Sequence, residues 1–298
     1  MSLALPELTT IASEIVLSLY PILIKVVDTG LDSQLLARTT TFAVLAFALT
    51  SASSLTAVLQ QPLTLLILGA LNFAHIGTSY LAFQDLPAGP AMALFYTYPF
   101  WNLLLSWIIL GETIDTTMLP WFFLAFVGSW FVVKSMTKEE VFKDKQAQDS
   151  STNISRGVFA AIAAAFTESG IYLVTRSLNA TTPFAMMFQL YGGALVWLLV
   201  GLLGLGKPLL SDTKLSTWLP LLGFNALIGF IGYALRFWSI PRLSVTIFSI
   251  LSFVGVFSAY VFGLRFVNEV PSWDSLVGGG LIATAIAALR INSTGRAE

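Results

Sequence analysis

The chain has 298 residues, of which 56% are apolar and only 10% charged, with a formal net charge of −1. Its 15 basic and 16 acidic side chains are too few to coat a soluble protein of this size, which excludes a soluble domain, a disordered chain and a coiled coil. A near-neutral balance argues against nucleic acid as partner, and the lack of cysteine removes disulfides, thiolate metal sites and thiol nucleophiles.

Composition therefore points to an all-α polytopic membrane protein. A helix needs about 20 mainly apolar residues to cross the hydrocarbon core. Ten segments qualify, at about 8–27, 34–50, 63–84, 89–110, 117–134, 156–176, 183–204, 217–238, 242–264 and 273–290. Short interruptions with turn chemistry separate them, such as Gln60–Gln61–Pro62, Leu86–Pro87–Ala88–Gly89–Pro90 and Thr181–Thr182–Pro183. The runs are about twice the length of a barrel strand and uniformly apolar, which argues against a β-barrel. The first has no basic n-region or small-residue cleavage site and reads as a mature helix. Pro99 inside the fourth predicts a kink.

Lys138 to Ile154 is the one long polar stretch, and it reads as a solvated linker. The expected division is a first five-helix unit over 1–136, a linker over 137–154 and a second five-helix unit over 155–298. Residues 80–112 and 233–269 support a repeat. In each, a Tyr-led helix end precedes Pro87 or Pro241, then a long helix and a terminal Glu112 or Glu269. Glu14, Lys25 and Arg38 in the first half are spaced much as Glu168, Arg176 and Gln189 in the second. Five is odd, so the second copy enters the membrane from the opposite side. That is the inverted-repeat plan of many secondary transporters, with the substrate site at the repeat interface.

The run Tyr96–Thr97–Tyr98–Pro99 leading into Leu110–Gly111–Glu112, together with Lys25 and Arg38 on the first two helices, resembles the EamA-type permeases of the drug/metabolite transporter superfamily. The resemblance covers nearly the whole chain. The second half is more diverged, with two extra residues in Gly263–Leu264–Arg265–Phe266–Val267–Asn268–Glu269. It implies ten helices around a central cavity and alternating access without ATP, and it leaves the substrate open.

Ionisable groups inside spans are costly and mark polar cavities. Glu14 and Glu168 fall at comparable depth on repeat-related helices, as a proton site, a cation site or a counter-charge for an amine, or as structural partners of Lys25 or Arg176. Glu14 and Lys25 lie eleven residues apart on one helix face, about 16 Å along the axis, too far to pair. Lys25 and Arg38 bracket one loop and can snorkel to an interface; the resemblance implies instead an electropositive cavity mouth that attracts anionic substrate groups. His75 is the only histidine. It reads as a packing residue or a pH-sensitive group, and with no nearby carboxylate or cysteine it makes no metal site.

Tyr96, Tyr98, Trp101 and Asn102 on the fourth helix, Tyr172 on the sixth, Gln189 and Tyr191 on the seventh, and Asn225, Tyr233 and Arg236 on the eighth add rings with polar tips suited to amphipathic organic molecules. Glu112 and Glu269 read as caps or loop contacts. Gly279, Ala283 and Ala287 form a small-residue stripe for helix packing within a monomer or a homodimer.

The expected function is a secondary transporter of a small organic metabolite, such as an amino acid or a drug-like amphipath, without cofactor and with proton coupling open. The alternatives are a nucleotide-sugar or sugar-phosphate antiporter and a receptor or cation channel. No enzyme motif is present. Orientation is divided. The positive-inside rule favours external termini, and the resemblance favours cytosolic ones.

Overall fold

The computed structural model describes residues 4–27, 29–86, 88–147, 154–178, 182–206, 214–266 and 272–294. Every regular element among them is helical. The first half comprises α1 (Leu5–Leu17), α2 (Tyr20–Val26), α3 (Leu31–Leu49), a short α4 (Ala52–Leu59), α5 (Pro62–Asp85), α6 (Ala88–Phe95), α7 (Tyr98–Leu110) and α8 (Leu119–Ala147). The second comprises α9 (Ile154–Ser177), α10 (Pro183–Gly204), α11 (Leu215–Phe224), α12 (Phe230–Ser239), α13 (Val245–Ser252), α14 (Val254–Phe266) and α15 (Trp273–Thr294). A π-helical stretch, Asn225–Gly229, joins α11 to α12, and a 3₁₀ turn, Ile240–Arg242, follows α12.

Among the described residues six stretches are long and apolar enough to cross a membrane: Leu5–Ile24, Pro62–Asp85, Ser155–Ser177, Pro183–Gly204, Leu215–Arg242 and Val245–Phe266. The helices Tyr98–Leu110, Leu119–Val132 and Trp273–Ala288 are apolar and shorter. Large apolar side chains such as Phe47, Ile67, Trp130, Phe159 and Leu227 are exposed on their outer faces. Water would penalise such a surface, whereas lipid solvates it. The chain is an integral, multi-pass membrane protein.

Three sequence expectations change. The first, fourth and ninth segments are each two helices, the ninth divided at Phe253. The breaks in the first and fourth have one local cause. Pro21 and Pro99 lack an N–H and clash with the carbonyl four residues back, and α1 ends at Leu17 while α6 ends at Phe95. The chain restarts at Tyr20–Pro21 and at Tyr98–Pro99, with proline in the first turn where its missing donor is harmless. Pro99 thus starts a new helix where a kink was expected. The polar linker begins as helix, because α8 continues to Ala147; residues 148–153 lie outside the described ones. The small-residue stripe of the last helix is shifted by one position. A Cβ on Gly278 would stand 2.5 Å from the Gly128 carbonyl, so Gly278 forms the close contact with α8, whereas Gly279 faces Phe257.

The centre is held by backbone-to-backbone approach. A Cβ on Gly69 would stand 2.2 Å from the Gly193 carbonyl carbon, and one on Gly193 would stand 2.2 Å from the Leu65 carbonyl oxygen. The two glycines let α5 and α10 touch as only residues without side chains allow. This contact, the packing of α3 on α10, α5 on α9 and α1 on α12, and the pairing of α8 with α15 set the frame of the site.

Candidate functional site

Arg236, in the last turn of α12, is the hub of a buried ionic cluster. Its Nη1 donates to Glu14 Oε1 from α1, and its Nη2 stands 2.6 Å from Glu168 Oε1 on α9. The Tyr98 hydroxyl, at the start of α7, lies 3.3 Å from both Glu14 oxygens. His75 on α5 places Nε2 3.1 Å from Glu168 Oε2 and Nδ1 3.2 Å from the Ala164 carbonyl. Glu14, His75, Glu168 and Arg236 are each at most 3% exposed. Charges removed this far from water persist only when neighbours satisfy them, and here one guanidinium bridges two carboxylates drawn from the two halves of the chain.

The helix breaks position this cluster. Tyr98 opens α7 because Pro99 ends the preceding helix, and Tyr20 opens α2 for the same reason. Gly255 makes room for the Tyr96 hydroxyl, since a Cβ there would meet it at 1.9 Å and Glu14 Oε2 at 3.0 Å.

Arg38, on α3, is the second buried guanidinium, at 3% exposure. It stands among the rings of Tyr20 (4.4 Å to the centroid), Tyr233 (5.0 Å), Tyr80 (5.6 Å), Phe42 (5.7 Å) and Tyr191 (5.9 Å). Its Nη2 donates to the Tyr191 hydroxyl at 3.0 Å. Among the described residues no carboxylate lies within ion-pair distance of it. Arg38 and the Arg236 cluster line a single cavity of about 50 Å³ with His75, Tyr96, Tyr233 and Ser79. That volume holds a few water molecules and is too small for an organic metabolite.

The sequence candidates sort clearly. Glu14, Arg38, His75, Tyr96, Tyr98, Glu168, Tyr233 and Arg236 all line the cavity. Tyr191 stands one layer out, accepting from Arg38. Asn225 is a support, accepting from the Tyr20 hydroxyl at 2.8 Å and donating to the Leu221 carbonyl. Gln189 and Tyr172 are buried but do not line the cavity, and Tyr172 packs on Phe248 with ring centroids 5.0 Å apart. The Lys25 side chain lies outside the described ones. Glu14 pairs with Arg236, and Arg176 pairs with Glu112 instead. Arg38 does not snorkel to an interface, because the aromatic cage holds it inside. His75 does have a carboxylate beside it, supplied by a helix far away in sequence. Tyr20 and Tyr80 were missed, although both are tyrosines within apolar spans, the same signal that singled out Tyr96 and Tyr98.

Two further ion pairs tie the halves together at the ends of α9. Arg156 binds Asp85 in a two-pronged contact, Nε to Oδ2 at 2.6 Å and Nη2 to Oδ1 at 2.7 Å. At the other end Arg176 pairs with Glu112 and donates to the carbonyls of Ile240 and Leu243. Glu112, expected as a cap or a loop contact, therefore closes one end of the bundle; Glu269 lies outside the described residues. With Glu168 between them, α9 carries three charged layers, about 18 Å and about 12 Å apart along its axis.

Between the cluster and the Glu112 end, α7 packs on α13. The Tyr98 hydroxyl is hydrogen-bonded to Ser252, so the start of one helix meets the end of the other. Along this seam Asn102, Ser106, Thr246 and Ser249 are buried with side-chain polar atoms that have no hydrogen-bond partner. Buried polar atoms left unpaired are unusual and mark places where water or a ligand is accommodated.

A helical membrane bundle whose halves meet at a buried, charged and aromatic-lined cavity is the architecture of a membrane transporter. The chain belongs to the EamA-like transporter family, which it matches over residues 5–134 and again over 155–291. It is 23% identical over 236 residues to human "Solute carrier family 35 member G1", an alignment that covers 76% of this chain and 61% of that protein. The chain thus spans less than two thirds of the length of that relative. A crystal structure of another protein, 16% identical, superposes with a TM-score of 0.75 over 97% of both chains, which speaks to the fold alone.

Proposed function

We propose that this protein is a secondary carrier that moves a small organic solute by alternating access between two inverted five-helix repeats, 1–136 and 155–298, joined by the 137–154 segment. The observation that carries this reading is Arg236 bridging Glu14 and Glu168, because it places the ionic centre of the molecule on elements from both halves. Under this reading the ten spans are α1–α2, α3, α5, α6–α7, α8, α9, α10, α11–α12, α13–α14 and α15. The packing pattern supports it. Exchanging each span for its counterpart five places on turns the α5–α9 contact into the α12–α1 contact and maps α3–α10 and α8–α15 onto themselves.

The ion pairs at the two ends of α9 supply the two barriers. Releasing Glu112 from Arg176 lets the α7–α13 seam hydrate, and releasing Asp85 from Arg156 opens the other face. The two carboxylates and His75 also offer a proton site. His75 Nδ1 faces a carbonyl and must donate to it, so Nε2 and Glu168 Oε2 sit 3.1 Å apart with a proton between them. A carrier that loads and releases this proton couples its cycle to a proton gradient.

The test is flux into proteoliposomes. Saturable uptake of a solute from metabolite pools, abolished in Arg236→Gln, is the expected result. Uptake equal to that of protein-free vesicles for every pool would overturn the reading.

A further inference from the structure

We propose that Arg38 and its tyrosine cage bind the carboxylate of the solute, so that the transported class is an organic monoanion. The inference rests on the carrier reading above and names the chemistry of its site. The two buried guanidinium groups of the cavity differ in one respect. Arg236 faces two carboxylates and is saturated with counter-charge. Arg38 faces rings, and the groups hydrogen-bonded to it are the neutral hydroxyls of Tyr191, Tyr80 and Tyr233. A guanidinium carries five N–H donors. The Nε of Arg38 has no partner, although the residue is 3% exposed.

Ring faces stabilise a desolvated cation. They leave its in-plane N–H donors unused, and these are the groups that recognise a carboxylate. Tyr80 and Tyr233 are hydrogen-bonded to the Arg38 guanidinium, and Tyr20 and Tyr233 line the cavity with it. An incoming acceptor would therefore meet one cationic group that no carboxylate neutralises, which suits a single negative charge. Phosphate esters and nucleotide conjugates call for several convergent cations, and the other cation lining this cavity is already engaged by Glu14 and Glu168. An amine would have to compete with Arg236 for Glu14 and Glu168. A monocarboxylate is the class that completes what the cavity lacks.

The experiment uses the full chain in nanodiscs and three probes of one shape: benzoate, benzamide and benzylamine. Benzoate raises the unfolding temperature and binds at least tenfold more tightly than the other two. Arg38→Gln brings benzoate down to the level of benzamide, and Arg38→Lys restores part of the difference. Tyr80→Phe, which keeps the ring and removes a hydroxyl that positions Arg38, weakens benzoate several-fold and guards against a folding defect in the arginine variants. Equal binding of the three probes, binding of none, or benzoate binding indifferent to Arg38→Gln overturns the assignment. Failure of the carrier reading looks different. Benzoate binding that depends on Arg38 without flux of any solute keeps the anion site and removes the carrier. Saturable flux of a neutral or cationic solute that ignores Arg38→Gln keeps the carrier and removes the anion site.

Discussion

Arg236 Nη2 and Glu168 Oε1 lie 2.6 Å apart across the interior, and the same guanidinium also holds Glu14. The consequences of removing each partner are unequal. Arg236→Gln leaves two carboxylates facing one another without a cation between them. Glu14→Gln leaves one carboxylate and one guanidinium, still paired. Losing one partner of a buried ion pair costs about 3–5 kcal/mol when the other is stranded. Arg236→Gln is therefore expected to lower the thermal midpoint of the purified protein far more than Glu14→Gln does. Adding Glu14→Gln to Arg236→Gln should recover part of that loss without recovering flux. Equal destabilisation by the two single variants would mean that the bridge is not the central ionic contact.

His75 and Glu168 give the coupling test. With Nδ1 committed to the Ala164 carbonyl, the proton between Nε2 and Oε2 has two places to go when the centre rearranges. Glu168→Gln and His75→Gln remove the acceptor and the carrier of that proton respectively. The expected outcome is that both variants still exchange labelled for unlabelled solute across proteoliposomes but no longer accumulate it against its gradient when a pH difference is imposed. Accumulation in either variant at the wild-type level would assign coupling elsewhere.

How much of this could be read from the sequence depends on whether the signal was local. Hydropathy gave the membrane class. Glu14 and Glu168 stood out because a carboxylate is rare inside an apolar run. What sequence does not carry is which distant group answers a charge. Arg236 lies 222 residues from Glu14 and was one polar residue among several on its helix. His75 has no carboxylate near it in sequence because its partner is on α9, which reaches it only after folding. Arg38 looked like an interface anchor because its compensation comes from rings, each unremarkable in its own segment. The breaks after Leu17 and Phe95 were local and readable, since Pro21 and Pro99 both follow a tyrosine. Pro99 reads from sequence as a kink, and Pro21 carries the same signal in the first span.

The Gly69–Gly193 contact predicts a sharp intolerance of side chains. A methyl group at either position would meet backbone atoms at 2.2 Å, and backbone cannot rotate away as a side chain can. The helices α5 and α10 would have to separate, which would also move His75. Overpacking of this kind costs about 1–3 kcal/mol. Gly69→Ala and Gly193→Ala are expected to lower the thermal midpoint and the amount of folded protein, whereas Gly77→Ala, on the same helix with open space around it, should be neutral or stabilising. An equal response at positions 69 and 77 would show that the close approach is not a packing requirement.

The two ends of α9 can be tested as barriers because the chain contains no cysteine, so one introduced thiol reports without background. Ser249→Cys puts the thiol in the α7–α13 seam, where the serine is fully buried. With Arg176 on Glu112 and on the carbonyls of Ile240 and Leu243, a membrane-impermeant maleimide applied from that face should label it slowly. Hydrogen bonds to a charged group contribute about 1.5–3 kcal/mol. Arg176→Gln is thus expected to raise the labelling rate by about tenfold or more from that face alone. Arg156→Gln, which frees Asp85 at the other end, should favour opening to the opposite face and leave labelling from the Glu112 face no faster than in the parent. If both gate variants accelerate labelling from the same face, the pairs are not separate barriers. If neither changes it, the seam is packing and the solute crosses elsewhere.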